Sequence, residues 1–208
     1  AQNKSKSLSL PKHLKKFFLN RKVWCASSTH RGEEFICMKV HQILKKKYNN
    51  LLSIIIPRHI DRSKELLEMY NNNNLKVHCH SWKNKKLKGI DIYLVDTYGE
   101  TEKFFNLVKT VFIGGSLINH GGQNPLEPAR HGCKVLHGPY VNNFKNIYDY
   151  LNEIQASKKI KSEKSLKKNI EILIKNKKNT KSLIKKVKKL GNKILINAKK
   201  EIENTIIK

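Results

Sequence analysis

No apolar run in this 208-residue chain is long enough to cross a membrane: the longest, Leu51 to Ile56, is interrupted by Ser53, whereas a spanning helix needs about 20 apolar residues. No charged segment followed by an apolar one opens the sequence, so a secretory leader is not expected. The four cysteines, Cys25, Cys37, Cys79 and Cys133, are widely spaced and form no C-x-x-C pair. That suits a reducing cytoplasm better than a disulfide framework. Metal ligands are as sparse. His78 and His80 share one face of an expected strand around Cys79 with nothing to complete a tetrahedral set, so no metal site and no cofactor is expected. Beginning at Ala1 without a methionine, the chain is expected to be a fragment or a processed piece.

Acidic side chains are also few. Sixteen Asp and Glu stand against 43 Lys and Arg, a formal charge of +27, which attracts the chain to phosphate-rich partners: nucleic acid, anionic lipid headgroups or nucleotide-linked substrates. Charge alone does not choose among them. A basic recognition helix, an aromatic RNP pair and zinc-finger spacing are all missing, which disfavours a nucleic-acid-binding protein; a steep salt dependence of DNA or RNA binding would revive that class.

What is present is a glycine-rich run, FIGGSLINHGGQNPLEPARHGCKVLHGP, from Phe112 to Pro139. Val111 to Ile113 reads as a short apolar strand, and Gly114-Gly115 permits a sharp turn after it. Asn124 reads as a helix N-cap and Pro125 as the first helical residue. Such a helix start aims backbone N–H groups at an anion, while Glu127 on the first turn can accept hydrogen bonds from sugar hydroxyls. The plainer alternative is a tight connection that binds nothing.

Strands alternate with helices along the chain. Val23–Ala26, Leu51–Ile56, Val77–His80, Ile92–Val95, Val111–Ile113 and Lys134–Leu136 read as strands; Glu33–Lys47, Asp61–Tyr70 and Thr101–Val108 read as helices. Continuous apolar strands in a βαβα rhythm predict an α/β, Rossmann-like, doubly wound parallel sheet. Ligands of such sheets bind outside the carboxyl ends of the strands. The polar clusters fall at that edge: Ser27-Ser28-Thr29-His30, Pro57-Arg58-His59, Asp96 to Glu100 and Gly114-Gly115-Ser116. Arg58, with its planar fork, suits a phosphate or carboxylate, the alternative being a surface pair with Asp61. His59 reads more readily as a packed residue than as an acid or base. Glu33 and Glu34 read as carboxylates complementing a helix dipole, and Asp96 as bonded within its own turn.

Six segments, VWCASSTHRGEE (Val23 to Glu34), IIIPRHIDR (Ile54 to Arg62), LVDTYGE (Leu94 to Glu100), FIGGSL (Phe112 to Leu117), GGQNPLEPA (Gly121 to Ala129) and GPYVNNF (Gly138 to Phe144), resemble in order and spacing the C-terminal half of the 3-deoxy-D-manno-octulosonic acid (Kdo) transferases. One departure is Tyr98, where the family more often carries methionine before the glycine. The resemblance implies the donor-binding domain of a GT-B glycosyltransferase, which transfers Kdo from CMP-Kdo to a lipid A precursor in lipopolysaccharide biosynthesis. It implies that Pro57 and Arg58 contact CMP, that Tyr98, Gly99 and Glu100 hold the nucleotide, and that Asn124, Pro125, Leu126 and Glu127 bind phosphate and ribose. Ser28, Thr29, Gly115 and Ser116 are further candidates at the same rim.

The resemblance also implies that the catalytic base belongs to an N-terminal acceptor domain outside this chain, so no catalytic residue is assigned and the piece alone is expected to bind donor without transferring sugar. It implies no metal, since CMP-Kdo carries one phosphate. The expected partners are the donor, the lipid A precursor, the N-terminal domain and the inner-membrane surface at its cytoplasmic face, with no nucleic acid. A GT-B enzyme using a UDP-sugar is the nearer alternative.

Residues 1–157 are expected to form the nucleotide-sugar domain and residues 158–208 a basic helical extension. The segment from Lys158 to Lys208 carries 18 lysines against 4 glutamates, with Leu183, Val187, Leu190, Ile194, Ala198 and Ile202 spaced as an apolar stripe. Such a helix packs on its own domain or on the N-terminal one, or its lysines hold the enzyme on an anionic membrane.

Overall fold

A computed structural model describes residues 9–82, 87–175 and 182–189. Seven parallel strands form one sheet, in chain order β1 (Lys22–Thr29), β2 (Leu51–Pro57), β3 (Val77–Cys79), β4 (Ile92–Leu94), β5 (Thr110–Ile113), β6 (Lys134–His137) and β7 (Ser157–Lys159). Around it lie helices α1 (Lys12–Leu19), α2 (Glu33–Lys45), α3 (Ser63–Asn72), α4 (Thr101–Phe105), α5 (Leu126–Arg130), α6 (Lys145–Glu153) and α7 (Glu163–Lys175).

The spatial order is β3-β4-β2-β1-β5-β6-β7. From β1 the chain winds outward to β2, takes the edge as β3, returns to fill the gap as β4, then crosses to β5 on the other side of β1. The order therefore reverses at β1 and β5, the place where a doubly wound sheet leaves a crevice.

Both faces of the sheet are covered, which is why its strands read as unbroken apolar runs; β2 is buried at every position. Side chains of β1 alternate between two cores. Cys25 joins Leu52, Ile54, Tyr93 and Val111 beneath Phe18 of α1, Phe104 of α4 and Tyr148 of α6. Trp24 and Ala26 join Leu51, Ile55, Ile92 and Phe112 beneath Met38 and Leu44 of α2, Tyr70 of α3 and Ile170 of α7.

The boundary expected after residue 157 does not divide the molecule. Ser157–Lys159 is the seventh strand, paired with β6 from Val135 to His137. Leu166 and Ile170 of α7 are fully buried, and Glu171 of α7 takes hydrogen bonds from Lys47 (2.6 Å) and Tyr48 (3.2 Å) beside α2. A Ser-Lys-Lys edge strand escapes sequence reading because it carries no apolar side chain: Ser157 is buried and polar and both lysines face water, the kind of charge that keeps sheet edges from pairing with other chains. Residues 182–189 are helical, and Val187, with Leu183 packed against the same core, is buried on the face that holds α1 and α6. The rest of the expected stripe, Leu190, Ile194, Ala198 and Ile202, lies outside the described residues.

Candidate functional site

The ends of β1 and β5 are locked together by one carboxylate. Glu33, on the first turn of α2 and fully buried, accepts through Oε2 from the amides of His30 (3.0 Å) and Gly115 (2.7 Å). Through Oε1 it accepts from Ser116 (3.1 Å) and Leu117 (3.0 Å). Glu33 therefore occupies the nest of N–H groups after β5 as a built-in anion, instead of standing on the surface as a complement to the helix dipole. Glu34, equally buried, binds Arg62 at 2.9 Å, and its carboxyl is held above the usual range chiefly by burial.

Gly114 is needed where it stands, since a Cβ there would lie 2.3 Å from the Ser28 carbonyl oxygen and 2.6 Å from Thr29 Cα. Arg58 N donates to Thr29 O at 3.0 Å, adding the end of β2 to the same junction.

Beyond the junction, the Gly121-Gly122 turn folds back on the loop after β6. Gly122 N donates to Gly115 O (2.7 Å), Asn143 N to Gly121 O (3.0 Å) and Tyr140 N to Ser116 O (3.0 Å). Tyr148 of α6 supports this layer by donating to Gln123 O at 2.9 Å. The segment from Gly138 to Phe144 thus braces the glycine-rich loop from behind. The N-cap of α5 is Pro125, with dihedrals of −87° and −9°, one residue later than expected; Asn124, just before it, still accepts from Leu126 N through Oδ1 at 3.0 Å. Glu127 is half-buried without an ion-pair partner among the described residues, and burial, followed by Glu102, raises its pKa.

The other expected site residues divide into two groups. Arg58 is exposed at the rim with no carboxylate partner among the described residues, so the expected alternative pairing with Asp61 does not form. Tyr98 is 70% exposed, Gly99 turns the chain with φ of 75°, and Glu100 is held by Lys103 at 2.6 Å and by His80 at 3.7 Å. Pro57 ends β2, buried; Ser28 is half-buried with φ of 54°. Thr29 and Ser116, by contrast, lie inside the wall. The Ser116 hydroxyl donates to Ile113 O (2.5 Å) and accepts from Gly138 N (2.8 Å), so it serves the junction. Asp96 bonds across to the loop after β3, accepting from Ser81 N (2.9 Å) and Ser81 Oγ (2.5 Å), and not within its own turn as expected, because parallel pairing of β3 with β4 brings the two strand ends side by side.

Sequence reading passed over a cluster of imidazoles. The ring of His30, 8% exposed, lies 4.1 Å from that of His120 and 5.8 Å from that of His59, centroid to centroid. Its Nε2 is 3.4 Å from Nε2 of Gln123. The only signal was that His30, His59 and Gln123 each sit in a motif at one rim and that His120 immediately precedes another.

Two comparisons bear on this architecture. The chain is 33% identical over 159 residues to the 3-deoxy-D-manno-octulosonic acid transferase of Haemophilus influenzae and 32% identical over 141 residues to that of Aquifex aeolicus. It superposes on the crystal structure of the C-terminal CMP-Kdo binding domain of WaaA from Acinetobacter baumannii with a TM-score of 0.78 and 28% identity, over 85% of this chain and 92% of that one. By sequence and fold, the chain belongs with the C-terminal part of the Kdo transferases. No family model matches it. The aligned stretch is 76% of this chain but 37% of the Haemophilus influenzae protein, and 68% but 38% of the Aquifex aeolicus one, so the chain spans under two fifths of the length of these Kdo transferases. The expected Rossmann-like parallel sheet of a GT-B C-terminal domain is the fold observed. Among the described residues, no helix is long and apolar enough to cross a membrane.

Proposed function

We propose that the chain binds CMP-Kdo and forms the donor half of a glycosyltransferase that passes Kdo to a lipid A precursor at the membrane surface. The observation that carries this reading is the match to the WaaA CMP-Kdo binding domain, with the rim residues of one crevice falling in the shared motifs. Arg58, without a carboxylate partner among the described residues and carried on the end of β2, offers its guanidinium fork to an anionic oxygen. Asn124 and Glu127 flank the start of α5, where amides and a half-buried carboxylate meet a ribose or phosphate. Tyr98, Gly99 and Glu100 lead into α4, whose Glu102 lies near enough to Glu127 to raise its pKa, and supply a further part of the rim.

In this scheme the chain lowers the barrier by holding the departing CMP and offsetting its charge, for which a surface of net charge +27 is suited. Deprotonation of the acceptor hydroxyl falls to the acceptor domain. The 18 lysines from Lys158 onward favour approach to an anionic leaflet.

Calorimetric titration with CMP of the wild-type chain and of Arg58→Ala and Glu127→Ala tests the assignment of the site. Each substitution is expected to weaken binding by about tenfold, the usual scale for losing a charged hydrogen bond. Unchanged affinity in both would remove these residues from the donor site.

A further inference from the structure

Among the described residues, the imidazole cluster has no carboxylate beside it that is not already engaged. His30, His59 and His120 come from the loops after β1, β2 and β5, and only the fold brings them together. The charged or titratable groups that face His30 are His120, His59, Arg58 and Arg62, every one cationic or able to become so. The one carboxylate beside it, Glu33, already accepts four backbone amides, including His30's own. Arg62 is engaged by Glu34 at 2.9 Å and Glu65 at 3.1 Å. The Arg58 side chain has no carboxylate partner among the described residues.

Space has been kept for these rings. Gly115 has φ of 64°, and a Cβ there would meet His120 Cδ2 at 3.2 Å and His30 Nε2 at 3.3 Å. The Nε2 edge of His30 looks toward Gln123, the residue before Asn124, so the cluster adjoins the start of α5.

We propose that His30, His59 and His120, together with Arg58, receive an anionic oxygen group of the donor, either its phosphate or its sugar carboxylate. This rests on the donor-binding reading above. Three imidazoles and a guanidinium offer several donors to such a group, which in turn supplies the missing negative charge. In the free chain His30 is held down to about 4 by burial, then by His120, His59 and the two arginines. An oxyanion beside His30 reverses that balance, so that ring takes a proton from solvent as the ligand enters.

The test is titration of the chain with CMP, with UMP and with CMP-Kdo at near-neutral pH, in two buffers of different ionisation enthalpy. It is repeated on His30→Gln and on the double variant His59→Gln/His120→Gln, whose rings are exposed and whose loss leaves the core intact. The expected result is net proton uptake by the wild type, and a loss of about tenfold or more in affinity in the variants with their preference for CMP over UMP preserved. A loss seen with both CMP and CMP-Kdo assigns the phosphate to the cluster; a loss confined to CMP-Kdo assigns the carboxylate. Wild-type binding that prefers CMP, with variants within twofold and no proton uptake, overturns the inference and leaves the donor reading standing. A wild type that binds none of the three overturns both.

Discussion

The carboxylate of Glu33 sits 2.7 Å from the amide nitrogen of Gly115, 82 positions further along the chain. That contact fixes the site. The crevice of a doubly wound sheet lies where two neighbouring strands send their chains to opposite sides, and here one buried side chain bridges the loops that leave those strands. The amides of Gly115, Ser116 and Leu117 are held by this internal carboxylate and so are not open to a ligand; in the proposed scheme the ligand is left to the groups around them: Arg58, the imidazoles, Asn124 and Glu127.

Replacing Glu33 should therefore destabilise the whole chain. Glu33→Ala leaves buried amides without an acceptor and is expected to cost ~3 kcal/mol or more. Glu33→Gln keeps one acceptor but turns an NH₂ toward N–H groups, for an expected loss of at least ~2 kcal/mol. Urea unfolding midpoints check this; a change under ~0.5 kcal/mol in both would show that the bridge is dispensable.

Gly114→Ala is expected to be as damaging, because its Cβ would lie 2.3 Å from the Ser28 oxygen and 2.8 Å from Glu33 Oε2. Gly89→Ala, at φ of 76° with nothing nearer than Lys76 Nζ at 3.7 Å, should cost only the backbone strain of about 1 kcal/mol. Equal melting temperatures for the two variants would contradict the close approach of β1 and β5.

Stability should fall in mild acid. Besides His30 at about 4, His41 is fully buried with its Nδ1 2.7 Å from Ser53 Oγ. Burial, then Lys45 and Arg21, pushes it down to about 3. Both folded values lie below the unfolded one of roughly 6.5, so between them the unfolded chain binds more protons and stability rises with pH. Stability is full above ~6.5 and is lost toward the folded values, by up to ~1.4 kcal/mol per pH unit for each histidine. Unfolding at pH 7, 6 and 5 should show a loss of roughly 2–4 kcal/mol, reduced in His30→Gln. A flat profile would contradict buried neutral imidazoles.

The strands and rim loops were legible because buried parallel strands are contiguous apolar runs ended by Gly, Pro or Ser. The helix start at Asn124-Pro125 was readable to within one residue for the same local reasons. Glu33 was not. A glutamate on a first helical turn looks the same whether it faces water or crosses to another loop, and only the tertiary fold brings Gly115 to it. The His30 cluster was hidden likewise, its rings coming from three loops. Nor could a Ser-Lys-Lys strand, or the placing of β4 between β2 and β3, be read, since edge strands carry no apolar pattern and strand order is set by distant pairing.

The most direct test of the central claim is the base selectivity of the wild-type chain, measured by titration with CMP, UMP and AMP at moderate salt. Saturable binding that prefers CMP is the result expected of a CMP-Kdo-binding domain. Preference for UMP would move the chain to a UDP-sugar enzyme, and equal, salt-sensitive binding of all three would contradict a donor site and reduce the rim to a basic surface.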